Sequence, residues 1–315
     1  MKKLLFGLAS ILLAFASPRF LQCQQITKDA LARFPPQTLA VEYSRPAVLR
    51  SLPDYNVLRA RYVGAELQKL ENSLAKLGIK EGDIDELLLG WEPGPSAMKM
   101  EGLARGRFDP QAIARQAQAQ SIHSQPVGDN RAYCMTNDPG SQCILILGKD
   151  SGAFGTLTAL EAMDRARSGS TPNLGSDPLF SKLIGEVSGN APIWGVAVKT
   201  AVPKWFSAWM PGQKNLSLDW TSTMKDVNAL SYRVNAGQNV HLQVSMDCNS
   251  GQAASTLRQV LDGLKMLQSV AWQNMYPNQT NPFQELDVSL DDRRVSLQMT
   301  ASYAALEGAA SLGSQ

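Results

Sequence analysis

The sequence predicts an α+β protein: antiparallel sheet with helices packed on one face, arranged as two duplicated helix/strand-pair halves. Three observations carry this expectation. Strand candidates alternate apolar and polar residues, as in Leu230, Tyr232, Val234 and in Val240, Leu242, Val244, Met246, the pattern of a sheet with one packed and one polar face. Short turn signals join strands in pairs. The order helix, strand pair, helix, strand pair occurs twice, which is not the βαβ alternation of a doubly wound sheet.

The chain opens "MKKLLFGLASILLAFASPRF". Lys2 and Lys3 form a basic start, Leu4 to Ala16 is a largely apolar run, and Ala14-Phe15-Ala16 supplies small residues around a cleavage point. The run is too short to span a bilayer, which needs about 20 apolar residues, so residues 1–16 read as a signal peptide of an exported protein, periplasmic or extracellular. Removing Lys2 and Lys3 takes the 30 Lys and Arg down to 28, level with the 28 Asp and Glu. A neutral mature chain is not expected to bind nucleic acid, which calls for a clustered basic surface. No further apolar run reaches spanning length. Cys23 follows the leader closely, but Gln22 and Arg19 stand where a lipid-processing site wants small residues, so lipid anchoring there is not expected.

Residues 17–50 are rich in proline and read as an irregular lead-in. The N-terminal half, 51–169, starts with a helix on Val63, Leu67, Leu70, Leu74 and Leu77, stopped by Gly78. Strands "IDELLLGW" and "AMKMEGLARG" follow, split by a Pro-Gly turn. Asp109 and Pro110 then cap and open a helix. Strands flank "YCMTNDPGSQC", and Thr158 with Glu161 starts a helix that Gly169 ends. Residues 170–175 read as a linker.

The C-terminal half, 176–310, opens with Asp177-Pro178 and a helix burying Phe180, Leu183, Ile184 and Val187. Strands "APIWGVAVK", "LSLDW", "LSYRVN" and "VHLQVSM" follow. A long helix after Ser250 carries Leu257, Val260, Leu261, Leu264 and Leu267, and a hairpin alternates Val288, Leu290 with Val295, Leu297 around "DDRR". Residues 311–315 are a tail. "LARGRFDPQAIARQAQ" in one half matches "LQVSMDCNSGQAASTLRQ" in the other as strand, turn and capped helix, which suggests duplication.

The motifs of catalysis are missing. His123, in a loop, and His241, on a polar strand face, have no predicted partners, and there is no Gly-x-Ser-x-Gly elbow. "LGKDSGAFGT" lacks the spacing of a phosphate loop. Acidic groups Glu81, Asp83, Asp85, Glu86 and Asp291, Asp292 sit in turns. No catalytic, cofactor or metal residues are assigned and no cofactor is expected. One segment stands out: "VPKWFSAWMPG" sets Trp205, Phe206, Trp209 and Met210 within two helical turns. They form either a lid on the core or an apolar contact for a protein partner or hydrophobic ligand.

Cys134 and Cys143 flank the turn Asn137-Asp-Pro-Gly140. If those four residues form the loop, the cysteines fall opposite each other across a hairpin and can bond, which an oxidising compartment permits. A tighter loop would set Cys134 opposite Leu145 instead. Cys23 and Cys248 are candidates for a second pair.

Two segments, Arg105-Gly-Arg-Phe-Asp109 before a helix and Gly155-Thr156 leading to Asp164-Arg165-Ala166, resemble a pattern in uncharacterised exported bacterial α+β proteins. The resemblance loosely covers residues 60–300. It implies the fold and the exported address, and no activity. The reading that results is an exported non-enzymatic binding or interaction protein. A carrier of lipid or another hydrophobic ligand is the alternative, and an extracytoplasmic hydrolase with an unrecognised site is the second.

Overall fold

The computed structural model describes residues 18–53, 55, 56, 59, 64–94, 98–209 and 219–312, without the side chains of 18–24, 65, 206–209 and 308–312. The signal peptide expected at 1–16 therefore lies outside the described residues. The first half runs α1 (Pro18–Arg33), β1 (Ala40–Ser44), α2 (Pro46–Leu49), α3 (Ala65–Lys76), β2 (Ile84–Glu92), β3 (Lys99–Gly106), α4 (Pro110–Ala119), β4 (His123–Val127), β5 (Asn130–Cys134), β6 (Cys143–Ile146), β7 (Ser151–Gly155) and α5 (Leu157–Arg167). The second runs α6 (Pro178–Val187), β8 (Ile193–Val198), α7 (Ala201–Trp209), α8 (Trp220–Thr223), β9 (Val227–Ala236), β10 (Val240–Cys248), α9 (Gly251–Met275), β11 (Asp287–Asp291), β12 (Arg294–Ala301) and α10 (Tyr303–Leu312).

Among the described residues the twelve strands form one antiparallel sheet in the order β11-β12-β10-β9-β8-β1-β2-β3-β7-β6-β5-β4. The α+β class holds, and the two halves share one sheet. Strand β1 sits at its centre, with Val41 opposite Gly90 on one side and Val196 on the other. The supposed irregular lead-in is thus a helix and the central strand. Its helix buries Ile26 and Ala30, and Phe34 follows one turn beyond them. Gly90 is bare so that the Phe34 ring can lie on the sheet, since a Cβ there would stand 3.0 Å from it.

The halves repeat one topology. Each begins with a helix (α1, α6) and a strand (β1, β8), adds two antiparallel strands, and then passes through a helix (α4, α9). The chain returns so that its last strand, β7 or β12, pairs with the third, β3 or β10. The first strands of the halves pair antiparallel, with Ala40 opposite Ala197 and Ser44 opposite Ile193. The connection at 170–175 is packed as well: Leu174 is buried and its N–H donates to the Phe34 carbonyl at 2.7 Å.

Helices lie on both faces over the centre and the N-terminal half, where the alternation had implied one. One core joins Ile26 and Phe34 to Leu160 and Met163 of α5, Phe180 and Leu183 of α6, and Val41, Tyr43, Leu88 and Trp194 of the sheet. The opposite face meets α3 and α4 through Leu70, Leu74, Ile113, Leu87 and Phe154. In the C-terminal half α7, α8 and α9 cover that same opposite face with Val202, Trp220, Leu257 and Leu261. There the other face carries the polar residues Arg233, His241, Gln243 and Thr300, as predicted.

Local signals explain most element starts. The Asp109 and Asp177 carboxylates each accept from two N–H groups of the following turn, with proline at the first helical position. Thr156, rather than Thr158, caps α5, accepting from the Ala159 N–H. "LSLDW" is not a strand where it is described: Asp219 caps a helix that begins at Trp220. His123, expected in a loop, lies in strand β4, and Ser151–Gly155 of "LGKDSGAFGT" form strand β7.

Candidate functional site

Trp205 of α7 packs edge-on against Trp91, ring centroids 4.5 Å apart, and leans over Tyr232 at 6.2 Å. The Tyr232 hydroxyl donates to Glu42 of β1. Gly195 leaves room for that phenol, because a Cβ there would stand 2.4 Å from the ring. Burial pushes the Glu42 carboxyl up to about 7, partly offset by the Tyr232 hydrogen bond. Burial and the Glu42 charge push the Tyr232 phenol well above its usual range. The cluster ties α7 to the seam between the halves, so half-buried Trp205 contributes cohesion there. The side chains of Phe206 and Trp209, and all of Met210, lie outside the described residues.

The remaining candidates from the sequence are scattered. Cys134 and Cys143 are register partners across β5 and β6 and form a disulfide, so the four-residue turn sets the register. Cys248 is a buried free thiol, and the side chain of Cys23, its candidate partner, lies outside the described residues. His241 Nδ1 lies 2.9 Å from the Thr300 hydroxyl. Glu86 is buried and accepts from the Tyr43 hydroxyl at 2.6 Å, while Glu81 pairs with Arg50 at 3.2 Å. A void under α3, bordered by Leu70, Leu74, Phe108 and Phe154, measures about 20 Å³, room for one water and not for an acyl chain.

One side of α9 carries a surface that is not among the candidates from the sequence. This helix of 25 residues buries Leu257, Leu261, Leu264 and Trp272 along one side. Leu267, expected on that side, is instead exposed, as are Met266, Val270 and Met275, all between 39% and 68%. At 100° per residue, Met266, Leu267 and Val270 share the side away from the core, one turn in length. From Met266 to Gln284 the chain has no Asp, Glu, Lys or Arg. The core pattern and the outer stripe overlap in the sequence, and only resolving α9 into two apolar sides would have separated them.

No protein-family model matches the sequence, and no characterised protein matches it at significant similarity. Solved structures share the fold. Crystal form I of TP0453 superposes with a TM-score of 0.53 at 10% identity, covering 90% of this chain and 97% of that one. Crystal form III gives 0.52 at 10% identity, covering 89% and 96%. The likeness spans both halves, so the protein is similar to TP0453 in its whole architecture.

Proposed function

We propose that this is an exported, non-enzymatic interaction protein that binds a protein partner through the outer side of α9. The observation that carries the reading is the group Met266, Leu267 and Val270, which leaves three large apolar side chains exposed within five residues on the outer side of one helix. Isolated exposed apolar residues are ordinary, but a contiguous group marks a contact surface. The uncharged run around it suits a partner with an equally uncharged apolar ridge, since no ion pairs are on offer to set the register. The Cys134–Cys143 disulfide supports an oxidising compartment, in line with the leader. Among the described residues no helix is long and apolar enough to cross a membrane. This reading moves the contact surface from the Trp205–Met210 segment to α9.

The test is site-specific photo-crosslinking in the host cell. A photoreactive side chain at 266 or 270 is expected to give one discrete protein adduct, absent when it is placed at Gln252 on the same helix. Equal yields from all three positions, or none, would remove the proposal. A lipid recovered by solvent extraction of the purified protein would favour the carrier instead.

A further inference from the structure

At the end of strands β1, β2 and β3, on the face covered by α1 and α5, the protein collects oxygen atoms without partners. Glu101 of β3 is 2% exposed, and neither carboxylate oxygen makes a hydrogen bond. The Thr38 hydroxyl, 1% exposed, lies against that carboxylate and also lacks a hydrogen bond of ordinary geometry. Glu92 stands opposite Lys99 and Glu101 opposite Gly90, which makes the two carboxylates diagonal neighbours on one sheet face, within reach of long side chains. Thr38 is held beside them because the next residue, Leu39, donates its N–H to the Trp91 carbonyl at 2.8 Å. Gln37 Nε2 donates to Glu92 Oε1 at 3.2 Å.

The supply of donors does not match the acceptors. Ionised carboxylates only accept, and among the described residues the donors that reach them are the Thr38 hydroxyl and the Gln37 amide, the latter already spent on Glu92. The charged neighbour acting on Glu101 is Glu92, which repels it, while Lys99 offsets Glu92. The β7–α5 junction packs close to the stem of Glu101: a Cβ on Gly155 would stand 3.4 Å from the Glu101 Cβ. Buried carboxylates without a basic partner either carry protons or hold a metal.

We propose that Glu101, Glu92 and Thr38 form a binding site for one hard divalent cation, calcium in preference to magnesium. Two carboxylates balance the charge of such an ion, and an all-oxygen set is the donor chemistry it prefers. Glu92 is half-buried, so its open side leaves room for water to complete the shell. Glu101 and Thr38 lie too deep to be met through a hydration layer. Magnesium gives up its waters reluctantly, whereas calcium accepts six to eight oxygens in flexible geometry. Held there, the ion would fasten the start of β1 to the β2–β3 hairpin beside the first turn of α5.

The experiment is calorimetric titration and thermal denaturation of the chelator-treated full chain with calcium chloride and, separately, magnesium chloride. One calcium per chain is expected, with a dissociation constant of about 10⁻³ M or tighter, a calcium-dependent rise in melting temperature, and a weaker response to magnesium. Glu101→Gln and Glu92→Gln should each weaken calcium binding by about tenfold or more, while leaving the chelator-treated protein folded. Should Glu101→Gln not fold, Glu92→Gln on the open side and Thr38→Val serve in its place. Absence of any calcium effect on the wild type at about 10 mM overturns the proposal and makes Glu101 a buried protonated acid. Calcium binding that survives Glu101→Gln undiminished overturns it too, by placing the ion elsewhere.

Discussion

Stability should fall as pH rises through the range in which Glu42 loses its proton. In the native protein this carboxyl is held up at about 7, against an ordinary value of 4.5. Between those values the folded state binds a proton that the unfolded state has released, so raising the pH favours unfolding. The contribution is fully present below about pH 4.5 and lost once pH has passed about 7. At about 1.4 kcal/mol per pH unit of separation, the loss from 4.5 to about 7 amounts to about 3.5 kcal/mol as an upper bound. Its physical source is the poorly solvated position of Glu42 beneath Trp205, partly offset by the Tyr232 hydroxyl that bonds to it. Glu42→Gln keeps an acceptor for Tyr232 and removes the titration. Urea unfolding of both proteins at pH 5, 6, 7 and 8 isolates the effect, because shifts at Glu92 and Glu101 cancel in the difference. The substituted protein should gain on the wild type between pH 5 and 7 and level off towards pH 8. If the two stability curves run parallel, Glu42 is solvated as an ordinary carboxylate and the argument is wrong.

Two further outcomes follow from packing and chain entropy. The Cys134–Cys143 bridge closes a separation of 9 residues, so Cys134→Ala with Cys143→Ala should cost about 2.5–3 kcal/mol; a urea midpoint equal to that of the oxidised wild type would refute this. Gly195→Ala places a methyl 2.4 Å from the Tyr232 ring and should cost about 1–3 kcal/mol, with near-ultraviolet circular dichroism reporting displaced aromatics. An unchanged melting temperature would mean that the phenol moves aside freely.

What could be read in the sequence was local. Asp109-Pro110 and Asp177-Pro178 announce helices through groups one turn away, and the Val288/Leu290 and Val295/Leu297 alternation announces its own hairpin. A turn at Asn137–Gly140 sets Cys134 opposite Cys143. By contrast, β1 is short, follows Pro35-Pro36, and owes its place to partners far along the chain: Val41 faces Gly90 and Val196. The helix before it left a trace in the spacing of Ile26, Ala30 and Phe34, hidden beside the apolar leader. Leu267 failed for another reason. It continues the apolar rhythm of Leu257, Leu261 and Leu264, yet lies about 80° of helix rotation away from Leu257, beyond the buried side. Glu42 and Tyr232 meet across 190 positions, a separation at which sequence periodicity carries no information.

The β1·β8 seam has the form of a twofold dimer interface drawn inside a single polypeptide. Antiparallel pairing of equivalent first strands is how two identical subunits would join edge to edge. Each half on its own would present β1 or β8 as a bare hydrogen-bonding edge, an invitation to foreign strands. Tethering the halves gives that edge a mate at high local concentration and frees the two copies to diverge. One has helices on both faces, while the other leaves the polar face of its outer strands to Arg233, His241, Gln243 and Thr300. During synthesis the first half emerges with β1 unmated, so the interval before β8 arrives is when this protein is most exposed to mispairing.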